Sequence, residues 1–148
     1  MPIYAINKYA KYDYDILETA EAGLVLSGPE VKSIRLKQIN LKGAYISFLQ
    51  DGAYLKQAHI SPYRFSGDKE QYTANRDRKI LLHKKEMAYL RSKTQEKGLT
   101  IVPISVYTKG PNIKLEIGVA RGKKLYDKRA VIKKREQNRE IHRSVKYG

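Results

Sequence analysis

Three histidines, His59, His83 and His142, carry the only imidazoles in this chain of 148 residues, and no spacing between them suits a shared metal or a proton relay. A single isolated histidine most often has a structural or surface role. The His-Glu-x-x-His pattern, a glycine-rich phosphate loop and the Gly-x-Ser-x-Gly nucleophile turn are all absent from the sequence. There is no cysteine, so no disulfide and no thiolate metal site can form. Asp13 and Asp15 would share one face of a strand, but two carboxylates alone do not define acid–base chemistry. These residues argue against an enzyme, and neither a cofactor nor a metal is expected.

The chemistry that remains is binding. Thirty Lys and Arg against fifteen Asp and Glu leave a net charge of +15, which calls for a polyanionic partner. From Arg121 to Gly148 there are eleven basic residues and three acids, so this segment holds +8 of that charge. A membrane surface would demand bulky apolar anchors. After Leu125 the tail has no Trp, Phe or Leu, which favours nucleic acid. Unpaired RNA is held by cations together with flat rings. Of twelve tyrosines, Tyr4, Tyr9, Tyr12 and Tyr14 cluster among Lys8 and Lys11, where they either stack bases or fill a β-rich core. Arg76-Asp77-Arg78-Lys79 opens a helical pattern with charges that oppose the helix dipole, so the cluster is either solvated or faces a phosphate. Leu81 would turn away from the Ile80, Met87, Leu90 face and could pack on an unstacked base.

These groups need elements to hold them. Tyr12 to Leu26 reads as strand, broken near Glu21-Ala22-Gly23. Ser27-Gly28-Pro29-Glu30 reads as a capped helix start, and the helix runs to about Asn40 with Val31, Ile34 and Ile39 inward. Ala44 to Leu49 and Ala53 to Ile60 read as strands around the Asp51-Gly52 turn. Ser61 to Asn75 reads as loop, and Arg76 to Lys97 as one long helix ending at Gly98. Val102, Ile104 and Val106, then Ile113, Leu115, Ile117 and Val119, alternate around Gly110-Pro111-Asn112, the pattern of a half-buried antiparallel hairpin. The expected fold is mainly β, a small antiparallel barrel, closed or partly open, with flanking α-helices. Residues 1–120 form it, and 121–148 are a basic C-terminal tail, too polar to fold alone and expected to become helical on RNA. No apolar run approaches the roughly 20 residues of a membrane span. Met1 to Ile6 lacks the segments of a secretory signal, so the expected location is the cytoplasm and the expected state a monomer.

Several stretches are jointly familiar. Asn7-Lys8, Glu21-Ala22-Gly23, Gly28 with Glu30-Val31-Lys32-Ser33-Ile34-Arg35, His59-Ile60 with Pro62-Tyr63, Arg76 through Lys84, and Gly122-Lys123-Lys124-Leu125-Tyr126-Asp127-Lys128-Arg129 occur in this order. In this the chain closely resembles the SsrA-binding protein family, small protein B, the partner of tmRNA. The resemblance implies a six-stranded barrel of oligonucleotide-binding (OB) type. It also implies binding to the tRNA-like domain of tmRNA, and delivery of alanyl-tmRNA to stalled ribosomes for trans-translation, ribosome rescue and peptide tagging. Elongation factor Tu would take part indirectly, and the ribosomal decoding site and mRNA path (16S rRNA) would receive the tail.

On the RNA face the resemblance places Asn7, Tyr14, Glu21, Tyr45 and Leu81, and at the barrel-to-tail junction Gly122, Lys123 and Lys124. Tyr12, Arg76, Arg78 and Lys79 join the RNA-binding set from their chemistry. The ribosome-binding set is Tyr126, Asp127, Lys128, Arg129, Lys133, Lys134 and Arg135. Tyr9 stands where the family commonly has a basic residue, Tyr12 where it has histidine, Pro29 where it has Thr or similar, and Gln137 where it often has an aromatic. The alternative is a general ribosomal or RNA-chaperone protein. An RNA-modifying enzyme is a third class, for which no cofactor motif is present.

Overall fold

Alternation with period two dominates the last third of the described chain and gives its longest hairpin. In the computed structural model, which describes residues 2–65, 67 and 72–122, this hairpin is β8 (Leu99–Lys109) and β9 (Asn112–Gly122), turning at Gly110 with φ +61°. Before it come β1 (Ile3–Ile6), α1 (Lys8–Asp13), β2 (Tyr14–Leu24), α2 (Gly28–Arg35), β3 (Ile39–Asn40), β4 (Tyr45–Leu49), β5 (Gly52–Lys56), β6 (His59–Ile60), β7 (Arg78–Leu81) and α3 (Lys84–Thr94). Seven strands form one antiparallel sheet in the order β1-β8-β9-β2-β7-β5-β4, and β3 pairs with β6 separately.

The fold is therefore mainly β with a few helices, but the expected count of six strands does not match and the barrel is not closed. Its edge strands β1 and β4 do not pair with each other. The sheet nevertheless curls, because β4 packs against β8. The concave side holds the main core, built from Ile34, Leu41, Leu55, Ile60, Ile80, Leu90, Ile101, Val106, Leu115 and Ile117. A second, smaller core lies under α1, where Ala10 meets Val102, Ile104 and Ala120. That helix takes Tyr12 and Asp13, expected as the start of a strand, together with residues 8–11, which had no assignment, and it corrects the half-buried reading of the hairpin. Ile101 to Val106 of β8 is buried throughout, since α1 covers part of its second face.

Two further boundaries differ from expectation. β2 runs unbroken through Glu21-Ala22-Gly23, and its irregularity is a bulge between Ile16 and Glu18. The α2 start is as expected: the Ser27 hydroxyl accepts from the Glu30 N–H at 3.3 Å, and the Ser27 N–H donates to the Glu30 carboxylate at 2.9 Å, a complete capping box. The helix stops at Arg35 rather than near Asn40, because Lys37 turns left-handed at φ +62°. Lys37 N–H then bonds Ile34 O and Gln38 N–H bonds Ser33 O, the paired bonds of a Schellman ending. Ile39 is buried from β3 instead.

The largest correction is the helix expected over Arg76–Lys97. Its first part is the strand β7, with Arg78 and Ile80 buried and Lys79 and Leu81 exposed. The helix begins only at Lys84, so the basic cluster does not sit on a helix dipole. Alternation was hidden there because one inward residue is an arginine. Arg78 is fully buried and so is its partner Glu30. Arg78 Nε donates to the Glu30 carboxylate at 2.7 Å, Nη1 to Ala58 O at 2.8 Å and Ala74 O at 2.9 Å, and Nη2 to the Tyr72 hydroxyl at 3.3 Å. Arg76 pairs with the other Glu30 oxygen. Burial pushes the Glu30 carboxyl up, but the Ser27 N–H and the two arginines together hold it below the usual carboxylate range. This network fixes the start of α2 to β7, and β7 carries Leu81.

Candidate nucleic-acid interface

The outer face of the sheet is set by strand parity. On β2, Ala22 and Leu24 point inward, so Glu21 and Gly23 point outward. On β9, Ile113 and Leu115 are buried, so Lys114 and Glu116 face out. Register then aligns Tyr107 with Lys114, Lys114 with Gly23, and Gly23 with Leu81, one row across four strands. At about 4.8 Å per strand the row is about 14 Å long. Gly23 leaves a dip in its middle, where a Cβ would stand 3.3 Å from that of Leu81. Leu81 is 54% exposed at one end, beyond the dip.

Glu21 lies one row away, directly across from Glu116. Two like charges so placed repel. The Tyr107 hydroxyl donates to Glu21, and Lys109 approaches it at 3.4 Å. The tyrosine's donation is the chief reason the Glu21 carboxyl sits below its ordinary range, with Lys109 and Lys114 assisting against desolvation. The Tyr107 hydroxyl is correspondingly held protonated, by burial first and by the neighbouring carboxylate second. Glu21, Gly23, Leu81, Leu82, His83, Glu86 and Lys114 line a cleft of about 490 Å³.

This arrangement has the parts a flipped or unstacked base needs. Leu81 offers apolar surface, Gly23 lets a flat group approach the backbone, Lys114 and Lys109 attract phosphate, and ionised Glu21 accepts from base amino groups. Among the described residues no cluster of His, Asp and Glu could hold a metal, and no helix is long and apolar enough to cross a membrane.

The structure brings Glu21 and Leu81 together, with exposed Lys79 on the same outer face. Tyr14 and Gly122 pair with each other at the far end of β2, about 20 Å along the strand from Glu21. Tyr12, half-buried on α1, belongs to that end as well. Tyr45 is 47% exposed at the start of the edge strand β4. Asn7 is buried, and its Nδ2 donates to Pro103 O at 2.9 Å, which ties α1 to β8. Arg76 is exposed but paired with Glu30. Arg78 has no exposed surface and spends its donors internally, so it cannot touch RNA in this structure. Lys123, Lys124, Tyr126, Asp127, Lys128, Arg129, Lys133, Lys134 and Arg135 lie outside the described residues.

The cleft adds Gly23, His83 and Lys114, and Tyr107 and Lys109 stand against Glu21; none of the five was placed on the RNA face from sequence. The first pairing was available, since a turn centred on Gly110-Pro111 sets Tyr107 opposite Lys114. The register of β2 against β9, which brings Glu21 into the group, had no local signal.

The family model described as SmpB protein matches residues 4–147. The chain belongs to the SmpB family. An SsrA-binding protein from Chloroflexus aggregans is 46% identical over 97% of this chain and 91% of its own length. Those from Prochlorococcus marinus subsp. pastoris and Lactobacillus gasseri are 50% and 47% identical, covering 95% and 99% of this chain and 80% and 95% of theirs. A solved structure described as "tmRNA-SmpB: a journey to the center of the bacterial ribosome" superimposes with a TM-score of 0.69 at 40% identity, over 84% of this chain and 87% of that one.

Proposed function

We propose that this SmpB-family chain binds the tRNA-like domain of tmRNA and brings alanyl-tmRNA to stalled ribosomes, where trans-translation tags the unfinished peptide. The observation that carries this reading is the outer-face row Tyr107–Lys114–Gly23–Leu81 with Glu21 beside it, on a chain whose relatives are SsrA-binding proteins. The role is that of an RNA-binding factor rather than an enzyme, and it belongs in the cytoplasm with translating ribosomes. Elongation factor Tu joins through the alanyl-tmRNA it carries.

The curled sheet works as an OB-type platform, with β4 against β8 standing where a closed barrel would pair its strands. Glu21, Leu81, Lys79 and Lys114 meet tmRNA directly. Arg78 and Asn7 hold the platform in shape. Tyr12, Tyr14, Tyr45 and Gly122, with Lys123 and Lys124, form a second contact region toward the tail. The segment from Tyr126 onward, with Asp127, Lys128, Arg129, Lys133, Lys134 and Arg135, occupies the decoding site and empty mRNA path of the ribosome. β9 extends through Arg121 and Gly122, the first two residues of the expected tail.

Competition gel shifts test the function. The chain should keep the tRNA-like domain of tmRNA against excess bulk tRNA at raised salt, where nonspecific phosphate contacts fade. Equal loss to bulk tRNA would instead indicate a general RNA chaperone.

A further inference from the structure

The Glu21 cleft is not the end of the grooved surface beside β7. Leu82 lines that cleft, and it also lines a second, larger groove of about 680 Å³ between α3 and the β4–β5 hairpin. The apolar part of its lining is Leu82 and Met87, half-buried against the core, with exposed Ala88 beside them. Its walls carry cations and hydrogen-bonding groups: Lys84, Arg91 and Gln50. Arg91 Nη2 donates to Leu49 O at 2.6 Å, which joins α3 to the hairpin, while its Nε is buried without a partner among the described residues. The guanidinium is thus incompletely used. The Asp51 carboxylate, which accepts from the Tyr54 hydroxyl at 2.6 Å and is held ionised by it, is the one acid among the described lining residues, so an incoming phosphate is favoured on the Lys84 and Arg91 side.

We propose that this groove is a second RNA-binding trough, which receives a single-stranded segment of the same RNA that seats on Glu21. The inference rests on the tmRNA reading above. Two observations select the occupant. The groove adjoins the Glu21 cleft at Leu82, which lines both, so a strand leaving one reaches the other across a single side chain. Its composition, apolar lining between Lys84 and Arg91, suits a base or ribose edge below and phosphates at the rim. A protein segment docked on the α3 face is the competing occupant, and the experiment separates the two.

The sequence contains no cysteine, so Ala88→Cys provides a single attachment point for a thiol-directed photo-crosslinker on the exposed lining of the groove. With the tRNA-like domain of tmRNA bound, the probe should crosslink to RNA. Glu21→Ala should reduce that crosslink in proportion to lost binding. A second variant, Lys84→Glu, places an acid in the first turn of α3, where the helix dipole favours it, so the fold should hold. It should weaken binding by about tenfold and make the salt dependence shallower by about one unit of slope.

If wild type binds and Glu21→Ala weakens binding, but Lys84→Glu binds like wild type and no RNA crosslink forms, the groove is not an RNA trough. Crosslinking to a protein alone overturns it as well. If the wild-type chain does not bind the tRNA-like domain at all, the tmRNA reading falls first and the groove proposal falls with it.

Discussion

At the scale of residues, two carboxylates of the same kind do opposite jobs because their surroundings differ. Glu21 is exposed, ionised and steered by one phenol, which suits an acceptor waiting for a base. Tyr107→Phe removes that steering without touching the core. Affinity for the tRNA-like domain should fall by about threefold to tenfold, the worth of about one hydrogen bond, with the thermal midpoint unchanged. Glu30 is buried and paired twice. Glu30→Ala leaves Arg78 charged and uncompensated in the interior and should cost about 3–5 kcal/mol in denaturant unfolding.

The pH dependence follows from the direction of the Glu30 shift. Its carboxyl is held below the unfolded value of about 4.3, so the ionised form favours the fold above that pH. The contribution is lost as pH falls through the folded value. Wild-type unfolding free energy should therefore drop more between pH 7 and pH 3 than that of Glu30→Gln. Equal drops would remove Glu30 as the acid-sensitive group.

At the scale of elements, legibility depended on whether the signal was local. Ser27 and Glu30 announced α2 because a capping box is a contact between residues three apart. Alternation and a turn announced β8 and β9. The stretch from Arg76 to Lys97 misled, since its Lys, Arg and Leu content favours helix and its inward arginine masks the strand parity. Pairing of β7 with β2 and β5, distant in sequence, overrode that propensity. The same reason explains why Leu81 was legible as exposed while its strand was not. It also explains why Lys114 was overlooked: its partners come from β2 and β7.

Close packing tests the second core. A Cβ on Gly118 would stand 2.8 Å from Ile104 Cδ1, 3.1 Å from Ile16 Cγ2 and 3.3 Å from the Glu18 carbonyl. Gly118→Ala should destabilise by about 1–3 kcal/mol, read from the denaturation midpoint. No loss would mean that α1 and the β2 bulge give way easily there.

At the scale of the whole molecule, residues 121–148 hold +8 of the net charge of +15. Asp127→Ala with Lys128→Ala should leave affinity for the tRNA-like domain within about twofold, a change under 1 kcal/mol. The same double variant should abolish tagging of stalled nascent chains in a translation assay. A matching fall in tmRNA affinity would mean that the tail shares the platform's task.

Lys114 stands between Tyr107 and Gly23 in the row beside Glu21, on the face proposed to grip tmRNA. The most direct measurement is the dissociation constant for the tRNA-like domain of tmRNA, at raised salt with bulk tRNA present, for wild type and Lys114→Ala. Lys114 is half-buried on the outer face, away from the main core, so its side chain can be removed without disturbing that core and circular dichroism should match. The dissociation constant should rise by about tenfold or more, about 1.4 kcal/mol. An unchanged constant would move the tmRNA site off this face.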